Sequence, residues 1–183
     1  MNILIRPWEI SDKPSLVKYA NNWNIAKNLI DKFPYPYHEK DAESYIEFAN
    51  ADQPVHLFAI DHDGEAIGAI GITLQRDIYR KNVELGYWLA EPFWGRGIVC
   101  KAVIQMVKFA FENYDIARIY AGVFGSNLAS QRVLEKSHFT LEAKFQKTLF
   151  KNGEYQNELI YALRREDWAA SQFPVDSCAT PLQ

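Results

Sequence analysis

The chain is short of cysteine, of net charge and of long apolar runs, and each shortage removes a class of function. Its two cysteines, Cys100 and Cys178, are too few and too far apart for the disulfide framework of a small secreted domain. Histidines at 38, 56, 62 and 138 show no His-x-x-x-His spacing, and no Cys-x-x-Cys occurs, so no metal is expected. Nowhere do ~20 apolar residues run together, which excludes a membrane span. The opening Met-Asn-Ile-Leu-Ile-Arg-Pro-Trp lacks the basic and apolar regions of a secretory signal. Lys and Arg number 20 against 23 Asp and Glu, a formal charge of -3, so the basic excess of a nucleic-acid binder is missing. Ser126 follows Gly125 without a Gly-x-Ser-x-Gly elbow, and Asp61-x-Asp63-Gly64 lacks the closing Glu of a calcium loop. There is no internal repeat and no Gly/Ser linker. What is left is a protein of a reducing cytoplasm that binds neither nucleic acid nor membrane.

What is present points to one mixed α/β domain. At roughly 150 residues per domain, the 183 residues suggest a single domain over 1–165 and a weakly patterned C-terminal tail at 166–183 that holds Pro174 and Pro181. A strand at Ile3–Arg6 precedes a helix capped by Ser11, with Leu16, Tyr19, Ala20 and Trp23 at helical spacing. Phe33-Pro34-Tyr35-Pro36-Tyr37 must be extended, because proline disfavours helix in the residue before it. A second helix starts near Asp41. Strands at Val55–Ile60 and Ala66–Leu74 are joined by Asp61-His62-Asp63-Gly64, a hairpin signal, and another strand fits Asn82–Leu89. From Ile98 the pairs Ala102/Val103, Met106/Val107 and Ala110/Phe111 recur every four residues, the stripe of a long helix. A strand at Ile119–Val123, a helix capped by Ser126 and strands at Phe139–Phe150 and Glu154–Leu163 complete the order around one sheet.

Between strand 82–89 and the long helix lies Trp94-Gly95-Arg96-Gly97-Ile98-Val99. A helix N-terminus carries amides without intrahelical partners and about half a positive charge. Glycines let the backbone approach an anion, so such a turn suits a phosphate or pyrophosphate, and Arg96 adds a cation. The equally simple alternative is a tight turn that needs two glycines. A dinucleotide fingerprint would require a third glycine where Cys100 stands, and a Walker loop would require Gly-Lys-Ser/Thr.

Three stretches then make the sequence resemble the GNAT superfamily of acetyl-CoA-dependent N-acetyltransferases, and within it the RimJ/RimL branch. They are Glu84-Leu85-Gly86-Tyr87-Trp88-Leu89 with Glu91-Pro92-Phe93-Trp94-Gly95-Arg96-Gly97-Ile98, then Asn127 to Lys136, and Ile5-Arg6-Pro7-Trp8 with Asn21-Asn22 and Phe33 to Pro36. The resemblance implies a single domain with a central, twisted, mostly antiparallel sheet, splayed strands and flanking helices. It implies that Trp94 to Val99 form the pyrophosphate turn of acetyl-CoA. Trp94 takes the place of the family's Gln/Arg, and Val99 departs from its final small residue. Tyr87, Trp88 and Leu89 would line the gap that holds pantetheine, and Asn127 would stand near the pantetheine arm; core packing and an ordinary helix cap are the plainer roles for the same residues.

The resemblance also places chemistry. Glu84 stands where several such enzymes keep a base carboxylate, since an amine must lose a proton before it attacks a thioester. A solvated edge carboxylate is the plainer role. The family's tyrosine acid, seven residues after the asparagine, is replaced by Leu134. Ser130 matches a branch pattern in which a serine hydroxyl bonds the sulfur, or else it bonds a helix carbonyl. Tyr120 and Tyr155 are further proton donors that the sequence cannot place. The expected activity is acetyl transfer from acetyl-CoA, without a metal, to a primary amine. The acceptor implied is a protein N-terminus of the ribosomal type. A small amine, or a low-turnover acyl-CoA-binding module, is the alternative. A monomer or homodimer is expected.

Overall fold

The computed structural model describes residues 3–170. Strand β1 (Leu4–Arg6) is followed by helices α1 (Lys13–Ala20), α2 (Trp23–Ala26) and α3 (Glu39–Ala49), and then by strands β2 (Leu57–His62), β3 (Glu65–Leu74) and β4 (Asn82–Leu89). Helix α4 (Ile98–Asn113), strand β5 (Arg118–Phe124), helix α5 (Leu128–Lys136), strands β6 (Thr140–Lys151) and β7 (Glu154–Arg164) and helix α6 (Arg165–Ala170) complete the order. The strands form one sheet in the order β1-β2-β3-β4-β5-β7-β6. The β1–β2, β2–β3, β5–β7 and β6–β7 pairings are antiparallel and β4–β5 is parallel, the mixed sheet that the sequence implied.

Residue contacts divide the chain into two compact units, each drawn from separate stretches of sequence. One takes the residues up to Gly71 together with Tyr87–Ile98; the other takes Ile72–Gly86 together with the residues from Val99 onward. In the first, Trp8, Leu16, Ala20, Ile25, Tyr37, Ile46 and Trp88 are buried in one apolar cluster. The Trp8 and Tyr45 rings meet edge to face at 5.6 Å. Arg6 ties β1 to Asp12 (2.7 Å) and Asp61 (2.8 Å). In the β2–β3 hairpin, Asp63 (φ 52°) and Gly64 (φ 85°) are both left-handed, as a two-residue turn of the Asp-Gly type requires.

In the second unit the predicted stripe of α4 is buried throughout: Ala102, Val103, Met106, Val107, Ala110 and Phe111. Ile119, Ala121 and Val123 alternate inward along β5. Helix α5 closes on a left-handed residue that is not glycine. His138 has φ 67°, its amide donates to Glu135 (3.0 Å), and that of Phe139 donates to Leu134 (3.0 Å), the pairing of a Schellman end.

Three local expectations change. Asp12, not Ser11, immediately precedes α1; its carboxylate makes no cap bond to that helix but accepts from the upstream Glu9 amide and from Arg6. Asn127, not Ser126, caps α5, its side chain accepting from the Ser130 amide at 3.2 Å. The tail expected from residue 166 begins instead as α6, with the Trp168 ring 5.2 Å from that of Phe111; residues 171–183 lie outside the described ones. Cys100 is buried in the first turn of α4, with the Ser137 hydroxyl 3.5 Å from its Sγ.

Candidate active site

The turn after β4 has the backbone of an anion cradle. Gly95 (φ 74°) and Gly97 (φ 71°) are both left-handed, a conformation that costs an L residue about 1–2 kcal/mol. Among the described residues, no protein acceptor takes the amides of Gly95, Arg96, Gly97, Ile98 or Val99. Those of Ile98 and Val99 open a 16-residue helix, whose dipole adds to the attraction for negative charge. Arg96 lies 5.6 Å from the Phe93 ring centroid and has no carboxylate partner among the described residues. Trp94 is 45% exposed, yet its indole N–H donates to the Leu89 carbonyl at 2.7 Å. The residue in the Gln/Arg place therefore pins the turn to the end of the preceding strand.

Ahead of the turn, Trp88 and Leu89 are buried and Tyr87 is half-buried. A Cβ at Gly68 would strike the Trp88 carbonyl and lie 3.1 Å from the Leu89 Cα, so two backbones meet there without a side chain between them. The Phe33 ring packs on Trp88 at 6.0 Å. Trp88 and Leu89 are thus core residues, and what they can offer a ligand is backbone.

Glu84 lies farther back on the same strand. It pairs with Tyr120 at the last recorded rung of the β4–β5 ladder, which runs only from Asn82 to Glu84, although both strands continue. Val83 and Leu85 point into the core while Glu84 and Gly86 are exposed. Although its side chain is open to solvent, enough protein surrounds the Glu84 carboxyl to push its pKa up. The like charge of Glu158 adds to this, and the Tyr120 hydroxyl, donating toward the carboxylate, opposes it. Desolvation and the Glu84 charge raise the Tyr120 phenol in turn. Arg118 sits 4.7 Å from the Tyr120 ring centroid.

At the start of α5 the Asn127 Oδ1 is spent on the helix cap, while no protein acceptor takes its Nδ2 among the described residues. Ser130 is half-buried one turn into the helix. Leu134, where the family keeps its tyrosine acid, is fully buried and can donate nothing. Tyr155 is 68% exposed on the β6–β7 hairpin, with its ring 5.1 Å from Phe150, whereas Tyr120 stands beside Glu84. The sequence named both tyrosines without separating them, and it gave no sign of Glu158. Among the described residues no group of three or more His, Cys, Asp or Glu is placed to hold a metal ion.

The sequence profile described as an acetyltransferase (GNAT) domain matches residues 2–140. The chain belongs to the GNAT acetyltransferase family. GNAT enzymes draw their acetyl group from acetyl-CoA. Among its relatives is YdaF of Bacillus subtilis (strain 168), provisionally named a ribosomal N-acetyltransferase, 31% identical over 107 residues, 58% of either chain. Spermidine N(1)-acetyltransferase of Escherichia coli (strain K12) is 20% identical over 92% of this chain and 89% of its own. Among solved structures, RimL, the ribosomal L7/L12 α-N-protein acetyltransferase in complex with coenzyme A, superposes with a TM-score of 0.79 at 23% identity. That superposition covers 91% of this chain and 96% of RimL. RimJ of Mycobacterium smegmatis, in complex with CoA-disulfide, gives a TM-score of 0.79 at 22% identity over 90% and 83%. The RimJ/RimL-like GNAT fold agrees with the observed sheet. Among the described residues, no helix is long and apolar enough to cross a membrane.

Proposed function

We propose that this GNAT acetyltransferase acetylates the α-amine of a protein or peptide N-terminus in the cytoplasm, by direct attack in a ternary complex. The observation that carries the reading is the position of Glu84: a carboxyl of raised pKa, opposite Tyr120, where the β4–β5 ladder ends. Bound acetyl-CoA supplies an activated thioester. Its diphosphate fits the amides from Gly95 to Val99 together with Arg96, and its pantetheine arm fits the backbone of Tyr87, Trp88 and Leu89; in the second unit, the Asn127 Nδ2 is a donor that no protein acceptor takes among the described residues. Val99 keeps its N–H, so the branched side chain removes no donor.

An ammonium sheds two protons as its nitrogen bonds the acetyl carbon and the C–S bond breaks. Glu84 accepts the first. The second ends on sulfur, a transfer that the Ser130 hydroxyl assists by hydrogen bonding. A carboxyl with a raised pKa is the better base near neutrality, because its conjugate acid is closer in strength to the working pH. The preference for a protein N-terminus is supported by the provisional name of YdaF as a ribosomal N-acetyltransferase and by that of RimL as an α-N-protein acetyltransferase. A polyamine is the second reading, favoured by the Glu84–Glu158 pair of acidic groups, which suits a polycation.

The test measures thiol release from acetyl-CoA with a hexapeptide bearing a free N-terminal serine, the same peptide with a blocked N-terminus, and spermidine. Release that depends on the free α-amine supports the first reading. Turnover with spermidine alone supports the second. Coenzyme A binding with no turnover on any amine refutes both and leaves an acyl-CoA-binding module.

A further inference from the structure

Strand β7 brings a second carboxylate to the same face of the sheet. Glu84 pairs with Tyr120 in the parallel ladder, and Phe124 pairs with Glu158 in the antiparallel one. Side chains alternate along a strand, so Tyr120, Gly122 and Phe124 share a face with Glu84 on one side and Glu158 on the other. The buried residues Ile119, Ala121, Val123 and Leu159 occupy the opposite face. Glu158 leans back along β5. Its Oε1 lies 3.1 Å from where a Cβ on Gly122 would stand, so the carboxylate rests over the glycine that separates it from Tyr120. Its Oε2 accepts from the Thr148 hydroxyl of β6 at 3.4 Å.

Two arginines near this face are committed to a third carboxylate. Arg118 on β5 stacks on Tyr120 but is ion-paired to Glu142 of β6 at 2.6 Å, and Arg164 of β7 binds the same Glu142 at 3.0 Å. Glu158 is left as the charge that acts on Glu84, across a strand thinned by a glycine.

We infer that Glu158 is a positioning residue for the proton-accepting step, acting through Glu84 across β5. The inference rests on the reading of Glu84 as the base. An anion at Glu158 disfavours a second anion at Glu84, so Glu84 holds its proton to higher pH. The same pair of carboxylates draws an incoming ammonium toward the carboxylate that will deprotonate it. Gly122 leaves room for the second carboxylate, since a Cβ there would stand 3.1 Å from its Oε1 and press on it.

The experiment compares pH profiles of kcat/KM for the wild-type protein, Glu84→Gln, Glu158→Gln, Glu158→Asp and Gly122→Ala. Acetyl-CoA is saturating, and the acceptor is the N-terminal-serine hexapeptide or spermidine, whichever turns over. With Glu158→Gln the midpoint of the acid limb moves to lower pH by roughly half a unit, as Coulomb's law gives for one charge at a half-solvated distance. The KM for the amine rises several-fold at low salt. Glu158→Asp keeps the wild-type midpoint, and Gly122→Ala shifts it in the same sense as Glu158→Gln by pressing on the carboxylate. A Glu158→Gln profile that is scaled down but unmoved overturns the inference, because a merely structural residue lowers activity equally at every pH. If Glu84→Gln retains the acid limb, the base itself is misassigned and the inference falls with it. Should Glu158→Gln fail to fold, Gly122→Ala carries the same comparison: a shifted limb supports the inference and an unmoved one overturns it.

Discussion

Glu84 and Tyr120 face each other on the last recorded rung between two parallel strands that both run on beyond it. A carboxylate and a phenol thus stand side by side at the end of that ladder: burial raises both pKa values and the Glu84 charge raises that of Tyr120 further, while the Tyr120 hydroxyl opposes the rise at Glu84.

Replacing Glu84 with Gln removes the base and is expected to lower kcat/KM by roughly 10²-fold or more. In the wild-type protein the acid limb of kcat/KM should have its midpoint above the ordinary carboxylate value of about 4.3, because burial and Glu158 favour the protonated form. A raised pKa means that the folded state binds more protons than the unfolded chain between the two values, so this group costs stability as pH rises. The melting midpoint of Glu84→Gln should therefore exceed that of the wild type at pH 8, with the difference closing by pH 4. Rate profiles and thermal melts at both pH values check the two halves.

Gly97→Val forces a β-branched residue into φ 71°, within the turn whose amides are unpaired. The strain of about 1–2 kcal/mol moves those amides, and coenzyme A affinity should fall roughly tenfold. Gly95→Asn should leave it within a few-fold, since Asn tolerates the left-handed region and no atom lies within 4 Å of its Cβ. Calorimetric titration with coenzyme A separates the two.

Asn127 can be divided between its two roles. Asn127→Ala loses the helix cap and should cost about 1 kcal/mol of stability. Asn127→Asp keeps an acceptor for the Ser130 amide but removes the Nδ2 donor, so stability should hold while the KM for acetyl-CoA rises. A Michaelis constant that Asp leaves unchanged would mean that Asn127 is a cap and nothing more.

The Arg6 network should dominate acid sensitivity. Burial pushes the Asp12 carboxyl up, but hydrogen bonds from Arg6 and from the Glu9 amide outweigh it and hold the pKa below the ordinary value. A depressed pKa gives stability that is present above the unfolded value of about 3.9 and lost as pH falls through the folded one. Arg6→Met leaves two carboxylates, with side chains 7% and 9% exposed, without their cation, and should cost about 3 kcal/mol at pH 7. Its loss of stability between pH 5 and pH 2 should be smaller than that of the wild type in urea titrations.

Where the sequence was misread, the competing residues were one position apart. Ser11 and Asp12 both make good caps, as do Ser126 and Asn127. Asp12 stands at the head of α1 without capping it, its carboxylate spent on Arg6 and the upstream Glu9 amide, and Asn127 caps α5 through its bond to the Ser130 amide. Helix α6 was hidden because it is short and is held by packing, Trp168 on Phe111, and not by its own periodicity. Glu158 was invisible because a glutamate near the end of a strand is ordinary until the register brings it over Gly122.

The amino-acid sequence alone determined the succession of the seven strands, the buried stripe of α4, the hairpin at Asp63-Gly64, the glycine turn after Trp94 and the GNAT resemblance. These are local matters of periodicity, backbone freedom and spacing, which a chain carries wherever it goes. Only the tertiary structure decided that Tyr120 stands beside Glu84 while Tyr155 does not, and that Glu158 reaches them both. Those relations join strands far apart in the chain, and strand register, which no local propensity encodes, sets which side chains become neighbours.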